Sequence, residues 1–350
     1  MQIVYLSDRP EVLAETWAHV RHFMPWADRC VVSMPAAKVG AASANAGTGA
    51  GADVVVVSDE DVTGLTHAEL SALDHVRRNV TIRRALIERT DLVDDAFILS
   101  DDDYRPIRPV DRSFFGDEAG DIGYFSYDLA AWPGDSTDFD EAQHVTHQAM
   151  AYWAFPHLSY GAHMPQIMRK DLWTEAFARF DRLTDDPMVC EWTLYFNVGL
   201  ATASDRFADP QPFQTLCWPQ YANEWPWWVR PESFAFENFY PELYSEGHLF
   251  AGLPTSIDPE TAERTNFEKL LRWSRFGQRS AALDFPDDIA NPWTKDSSVR
   301  KATFGALRRL RKAYDYLSLE DRSAMVELSG TVARLEHELR LRDRRNEPES

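Results

Sequence analysis

Four short apolar segments in the first hundred residues constrain the fold of this chain more than any other feature. They lie at residues 3–6, 30–34, 54–57 and 96–99. Apolar residues at helical spacing fill two of the intervals: one pattern begins at Pro10, and the other follows a capping box, Thr66 to Glu69, and continues to about Glu88. Strands that alternate with helices in this way predict a mostly parallel, Rossmann-type sheet flanked by helices.

The other segments are less regular. Residues 36–52 consist almost entirely of Ala, Gly and Ser, which predicts a flexible surface loop. Helical patterns cover 138–154 and 170–180, while residues 190–201 are helical or a buried apolar segment. Residues 121–128 alternate weakly, as a further strand would.

We expect two regions in the chain. The first, residues 1–255, contains the sheet and an aromatic-rich stretch at 213–250. The second, residues 256–350, is a helical C-terminal extension with a short heptad pattern between Met325 and Leu339, which favours a homo-oligomer.

Composition excludes several classes of protein. The 350 residues include 56 Asp and Glu against 36 Lys and Arg, a net charge of −20, and 44% of them are apolar. The apolar fraction excludes general disorder, and the negative charge disfavours binding to nucleic-acid phosphates. No apolar run reaches the ~18 residues of a membrane span. The three cysteines lie far apart, which is typical of a reducing cytoplasm and predicts neither a disulfide framework nor a cysteine metal site.

An acidic triplet, Asp101-Asp102-Asp103, directly follows the fourth apolar segment. Ligands of parallel sheets bind beyond the carboxyl ends of the strands, which is where this triplet is expected. Consecutive carboxylates repel one another, and a divalent cation relieves that repulsion. Asp101 and Asp103 are therefore candidate ligands of Mg²⁺ or Mn²⁺ that would neutralise a nucleotide-sugar diphosphate. The alternative is a solvated loop or a helix cap.

Two further residues are candidates for acid–base chemistry. His163 stands on a turn that contains Gly161, and it is either a general base or an ordinary surface or core histidine. Glu191 is a carboxylate in an otherwise apolar segment, and it is either a buried base or an exposed residue on a helix face.

Arginine and tryptophan residues are candidates for substrate binding. Arg83 and Arg84 lie on the helix before the acidic strand, where they bind phosphate or form a solvated basic face. Trp225 and Trp228 belong to a tryptophan cluster that either stacks on sugar rings or fills a core. Residues 299–312 hold six basic residues and no acidic one, so this amphipathic helix contacts either anionic lipid at the membrane or the acidic body of the protein.

The acidic segment also carries a family resemblance. Residues 97–110 read FILSDDDYRPIRPV and are followed by Phe114-Phe115. This segment resembles the second conserved block of the Stealth family, bacterial hexose-1-phosphoryltransferases of capsule synthesis. The stretch HMPQIMR at 163–169 resembles the third block.

The resemblance implies a nucleotide-diphospho-sugar transferase sheet of the GT-A type. Asp101 and Asp102 match the acidic pair of the second block, which makes Asp102 a catalytic candidate, and His163 and Arg169 match the third block. The chain departs from the family in two places: Ser100 replaces the asparagine before the acidic pair, and the first block is absent.

The sequence thus predicts a metal-dependent transferase. It would move a sugar or sugar phosphate from a nucleotide-sugar donor to a hydroxyl of a glycan or glycoconjugate in surface polysaccharide synthesis. Two alternatives stay open, a non-catalytic carbohydrate-binding or assembly protein and a metal-dependent phosphohydrolase.

Overall fold

The computed structural model describes residues 1–46, 53–131, 137–161, 164–216, 234–255 and 261–280. The chain divides into two compact units, one of residues 1–218 with 233–267 and one of residues 219–232 with 268–350. Everything below up to Phe267 belongs to the first unit. None of the helices within the described ranges has the length and apolar character needed to cross a bilayer.

Fourteen strands and nine α-helices lie within the described residues, together with short 3-10 turns. The strands are β1 Gln2–Leu6, β2 Arg29–Met34, β3 Asp53–Ser58, β4 Ala96–Asp101, β5 Tyr104–Pro106, β6 Gly116–Asp117, β7 Gly120–Asp121, β8 Tyr124–Phe125, β9 Tyr127–Asp128, β10 Leu158–Ser159, β11 Gln166–Arg169, β12 Gln211–Pro212, β13 Thr215–Leu216 and β14 Phe236–Asn238. The helices are α1 Pro10–Phe23, α2 Ala36–Ala46, α3 Asp59–Thr63, α4 His67–Ser71, α5 His75–Glu88, α6 Asp138–Trp153, α7 Lys170–Phe180, α8 Glu191–Thr202 and α9 Ala262–Ser280.

Five strands form the central sheet, in the order β11-β4-β1-β2-β3. β1 to β4 are mutually parallel, and β11 pairs antiparallel with β4. The predicted α/β fold, a mostly parallel sheet flanked by helices, is confirmed. The chain moves outward from β1 to β3 and then returns to the other side of β1 with β4, so the strand order reverses between β1 and β4.

Both faces of the central strands are buried, which explains their continuous apolar sequences. Val4, Val31, Phe97 and Leu99 pack in one core with side chains of α5, α6, α7 and α8. Their neighbours along the strands, including Ile3 and Ile98, point to the opposite face and are equally buried. Each such side chain contributes about 1.5–3 kcal/mol to stability.

The stretch predicted as a flexible loop at 36–52 is partly helical, and that prediction is wrong for α2. Alanine is the strongest helix former, and α2 is mostly alanine with Ala42 buried. The Ala36 backbone N–H also donates to Glu60 Oε2 at 3.0 Å. Residues 47–52 lie outside the described residues.

The capping box at Thr66 is confirmed, but the single long helix predicted after it is wrong. α4 ends at Ser71, and α5 begins after Asp74, whose side chain accepts a hydrogen bond from the Arg77 N–H at 2.8 Å. Asp74 is thus a second N-cap, which satisfies a backbone donor that the break would otherwise leave open.

The predictions farther along the chain have mixed outcomes. The helices expected at 138–154 and 170–180 are confirmed as α6 and α7, and the segment at 190–201 is the helix α8. The single strand expected over 121–128 is instead three short pieces: the last residue of β7 and the two-residue strands β8 and β9. The heptad pattern and the basic segment 299–312 lie outside the described residues.

Candidate active site

A cavity of about 560 Å³ lies at the carboxyl ends of the four parallel strands. Each strand contributes the residues that follow it: Ser7, Asp8 and Arg9 after β1, Pro35 after β2, Asp59 and Glu60 after β3, and Asp101 to Tyr104 at the end of β4. The reversal of strand order between β1 and β4 leaves a crevice at this edge, which is where open α/β sheets bind ligands. The volume is in the range of small-molecule sites.

The acidic triplet lines this cavity beside the turn after β1. Ser7 Oγ donates to Asp102 Oδ2 at 2.6 Å, and Arg9 Nε donates to the same oxygen at 3.3 Å. Arg9 Nη2 donates to Asp102 Oδ1 and also to Asp103 Oδ2, the latter at 3.0 Å. Both oxygens of Asp102 are therefore engaged, and burial still raises the pKa of this carboxyl above its usual value.

Asp103 is in a different situation from Asp102. Its Oδ2 accepts from Arg9, but its Oδ1 is buried and has no hydrogen-bond partner within the described residues. Burial, and then the neighbouring charges of Asp101 and Asp102, raise the pKa of Asp103 to about 6. A buried carboxylate oxygen without a partner is costly unless a cation or a water molecule satisfies it.

Arg83 joins the first member of the triplet to α8. Its Nη2 donates to Asp101 Oδ1 at 2.5 Å and its Nη1 donates to Glu191 Oε1 at 2.8 Å. The guanidinium also lies 4.7 Å above the ring of Trp192. Arg83 is itself buried, so it holds Asp101 and Glu191 in fixed positions at the cavity wall.

Asp59 provides a second buried carboxyl in the cavity. Ser33 Oγ donates to its Oδ1 at 2.6 Å, and this hydrogen bond joins β2 to the start of α3. Burial raises the pKa of Asp59 to about 6, with Glu60 and Asp8 adding to the effect.

Carboxylates outnumber basic groups around the cavity. The lining includes seven carboxyl groups, Asp8, Asp59, Glu60, Asp101, Asp102, Asp103 and Glu191, and three guanidinium groups, Arg9, Arg78 and Arg83. With all of them ionised, the excess is four negative charges. A di- or polyphosphate would therefore enter against a net repulsion unless a cation entered with it.

The triplet fits a divalent cation of the Mg²⁺ class. Asp101 and Asp103 both line the cavity, Asp103 keeps one buried oxygen without a partner, and oxygen is the ligand that Mg²⁺ and Mn²⁺ prefer. Within the described residues, no cluster of three or more His, Cys, Asp or Glu side chains is arranged to hold a metal ion. Mg²⁺ commonly binds through one or two carboxylates together with water and substrate phosphates, which is the number available here.

The aromatic-rich stretch reaches the cavity through its second half. β14 pairs antiparallel with β5, and the Phe239 N–H donates to the backbone oxygen of Asp103 at 2.6 Å. A fully buried ion pair, Arg105 Nε to Glu237 Oε1 at 2.8 Å, joins the same two strands. These contacts hold Tyr240 at the cavity wall.

The structure brings together Asp101, Asp102, Asp103, Arg83 and Glu191 from the residues predicted as a site. Arg84 points away, pairs with Asp181 at 2.7 Å and lies over the ring of Phe177. His163, Trp225 and Trp228 lie outside the described residues, and their predicted roles stay predictions.

Arg169 is also not brought to the cavity. It is paired in register with Ala96, the first residue of β4, whereas the triplet begins at the last residue of that strand. Five residues of strand separate the two by roughly 16 Å. Its guanidinium binds both oxygens of Asp121, at 2.5 and 2.8 Å.

Ser7, Arg9 and Asp59 are among the cavity residues that the sequence did not single out. Ser7 and Arg9 follow the buried strand β1, and Asp59 follows the half-buried edge strand β3. A position just after an apolar parallel strand is the same signal that identified the acidic triplet. The sequence Asp8-Arg9-Pro10 has a simpler explanation as the start of a helix, and Asp59 is followed by two further acidic residues that indicate a solvated turn equally well.

Comparison with known proteins gives distant structural similarity. No protein-family model and no curated protein matches the chain. The galactosyltransferase LgtC, in complex with donor and acceptor sugar analogs, aligns with a TM-score of 0.40 and 15% identity over 77% of this chain and 96% of its own. An active-site mutant of LgtC gives 0.40 and 14%, over 77% and 95%.

A mouse protein, xyloside xylosyltransferase 1 in its apo form, aligns with a TM-score of 0.38 and 9% identity over 69% of this chain and 99% of its own. At this level of similarity, the function of the cavity has to be judged from its own residues.

Proposed function

We propose that the cavity binds a nucleotide-sugar donor together with Mg²⁺ or Mn²⁺ and transfers a sugar or a sugar phosphate to a hydroxyl group of a glycan or glycoconjugate. The observation that carries this proposal is Asp103, a buried carboxyl with an unpartnered oxygen at the switch point of the sheet. The predicted GT-A type of fold and the resemblance to the Stealth family belong to the same proposal.

Asp101 and Asp103 would hold the cation. A bound cation would neutralise the charge that develops on the phosphate leaving group. The excess of carboxylates around the cavity supports this role, because a bare diphosphate would be repelled there. Asp102 has both oxygens engaged by Ser7 and Arg9, so it is proposed as a positioning residue that orients Arg9.

Glu191 is the described residue best placed to accept the proton of an acceptor hydroxyl. It lines the cavity at the first position of α8, and its hydrogen bond from Arg83, which also holds Asp101, fixes the carboxylate. His163 is the second proposed base, by its match to the third Stealth block.

Two versions of the reaction have different products. In glycosyl transfer the acceptor attacks the anomeric carbon, and the nucleoside diphosphate leaves. In hexose-1-phosphoryl transfer the acceptor attacks the β-phosphorus, the sugar phosphate moves, and the nucleoside monophosphate leaves. Surface polysaccharide synthesis in the cytoplasm, the proposed setting, is compatible with either.

The nucleotide product tests the proposal. The protein is incubated with Mn²⁺, a panel of UDP-, GDP-, CDP- and dTDP-sugars, and methyl glycosides as acceptors, and the products are identified by ³¹P NMR. We expect one donor class to release a nucleoside mono- or diphosphate. Both EDTA and Asp103→Asn should abolish the release, whereas Asp61→Asn, an exposed acidic residue of α3, should not. Release that survives EDTA and Asp103→Asn contradicts the proposal.

A further inference from the structure

Arg9 contacts two members of the acidic triplet, Asp102 and Asp103. Its side chain is 37% exposed, whereas those of Asp102 and Asp103 are 4% and 13% exposed. The Arg9 side chain is therefore much more exposed than the two carboxylates that it contacts. A cation that binds Asp103 has the positive charge of Arg9 on the same carboxylate.

The two carboxylates hold Arg9 unequally. Asp102 receives both Nε and Nη2 and is itself fixed by Ser7 Oγ. Asp103 receives only Nη2, which it shares with Asp102. The contact with Asp103 can therefore open while the guanidinium stays attached to Asp102.

The third nitrogen of the guanidinium is available for an anion. Among the described residues no group accepts a hydrogen bond from Arg9 Nη1, and Arg9 lines the cavity. Its backbone is fixed, because its N–H donates to Ser7 Oγ at 3.1 Å and Pro10 starts α1 directly after it. A planar guanidinium with a free edge matches the geometry of phosphate oxygens.

We propose that Arg9 neutralises Asp103 in the free protein, on the Oδ2 beside the unpartnered Oδ1 that the cation would take, and turns its free donors to the donor diphosphate when the cation binds. This inference rests on the proposed function, because it assigns Arg9 to the phosphate-binding part of that same site. Two positive charges against one carboxylate repel each other, so the cation and Arg9 compete for Asp103. The diphosphate relieves the competition by accepting Arg9.

The exchange predicts that cation and nucleotide bind cooperatively. Metal alone meets the positive charge of Arg9 on the same carboxylate without compensation, and nucleotide alone meets the net negative cavity. Together each removes the other's penalty, and the coupling is the same whichever binds first. Without Arg9, the metal loses its competitor and the nucleotide loses a binding group.

The test measures Mn²⁺ binding by electron paramagnetic resonance and the binding of UDP, GDP, CDP and dTDP by calorimetry, with the whole chain of 350 residues. We expect Arg9→Gln to bind Mn²⁺ alone at least fivefold more tightly than the wild type. In the presence of Mn²⁺ it should bind the nucleotide at least tenfold more weakly. Arg78→Gln is the matched control, because Arg78 also lines the cavity but its Nη2 contacts His75 at 3.4 Å. It should change Mn²⁺ affinity less than twofold.

Arg9→Gln leaves Asp102 buried without the guanidinium that pairs with it, which could impair folding. A second pair of variants therefore tests the same inference without that buried charge. Asp102→Asn is compared with Asp102→Asn/Arg9→Gln, in which that charge is removed as well. The double variant should again bind Mn²⁺ more tightly than its parent.

The outcomes separate the two proposals. If the wild type binds Mn²⁺ and nucleotide cooperatively and the Arg9 variants keep both affinities, the inference about Arg9 is wrong and the proposed function stands. If the wild type binds neither probe, both are wrong.

Discussion

Arg83 Nη1 lies 2.8 Å from Glu191 Oε1, and the same guanidinium reaches Asp101 through its other amino group. One buried cation thus connects α5, the end of β4 and the start of α8. The two carboxylates it holds are the residues that we propose as a metal ligand and as a base. The stability of the fold and the geometry of the candidate site therefore depend on the same side chain.

Replacing Arg83 by Met should be strongly destabilising. It leaves Asp101 and Glu191 without their shared cation in a buried setting, and we expect a loss of about 3–5 kcal/mol in the free energy of unfolding. The neighbouring Arg84→Met is the matched control, because Arg84 pairs with the half-exposed Asp181 and should cost only about 1 kcal/mol. Urea unfolding at pH 7.5 measures both. Equal losses would show that Arg83 has no special role.

Asp59→Asn should stabilise the protein increasingly as pH rises. The pKa of Asp59 is raised to about 6 from an ordinary value near 4, so the folded state binds its proton more tightly than the unfolded state. The stability that this proton contributes is complete below pH 4 and is lost as pH rises through about 6. Asparagine does not ionise, so the variant avoids this loss, which is about 3 kcal/mol at most for a shift of about 2.

Thermal unfolding at pH 5, 6, 7 and 8 in EDTA measures this effect. The difference in melting temperature between Asp59→Asn and the wild type should grow between pH 5 and 8. Asp61→Asn changes an exposed acidic residue of the same helix, and its difference from the wild type should stay constant. A pH-independent difference for Asp59→Asn would contradict the raised pKa.

Gly40→Ala tests the helix α2. Gly40 is exposed within α2, and a Cβ there would have no atom within 4 Å, so alanine should add about 0.5–1 kcal/mol through the smaller entropy loss of the backbone. Gly40→Pro should cost about 3 kcal/mol in a helix. Gly64→Ala is the contrasting change, because Gly64 has φ 71° and an alanine there is strained. Near-zero effects of both Gly40 changes would favour the flexible loop.

β1, β2 and β4 could be predicted from the sequence because parallel strands buried on both faces are continuous apolar runs, and β3, a half-buried edge strand, has an equally continuous run of four valines. The same reasoning located the acidic triplet, since a polar residue that ends such a strand lies at the ligand-binding edge. α2 was missed because Ala, Gly and Ser in one stretch suit a loop as well as a helix. Only the buried Ala42 and the contact with Glu60 distinguish the two.

The partners of the triplet could not be predicted from local spacing. Arg9 is 93 residues from Asp102, and Arg83 is 108 residues from Glu191, so each pair forms only when the sheet is assembled. For Arg169, local sequence indicated a site residue that the assembled sheet does not bring to the cavity. Its match to a family block suggested substrate binding, but the antiparallel pairing of β11 places it beside the start of β4 rather than the end.

The measurement that tests the central claim most directly is the melting temperature of the protein with nucleotide sugars, with and without Mn²⁺. A ligand that binds only the folded state raises stability with saturation, and a well-saturated donor should raise the melting temperature by about 3–6 °C. We predict such a rise for one class of nucleotide sugar, only when Mn²⁺ is present, and not in Asp103→Asn. No rise with any nucleotide sugar, or an equal rise in EDTA or in Asp103→Asn, would contradict the metal-dependent donor site.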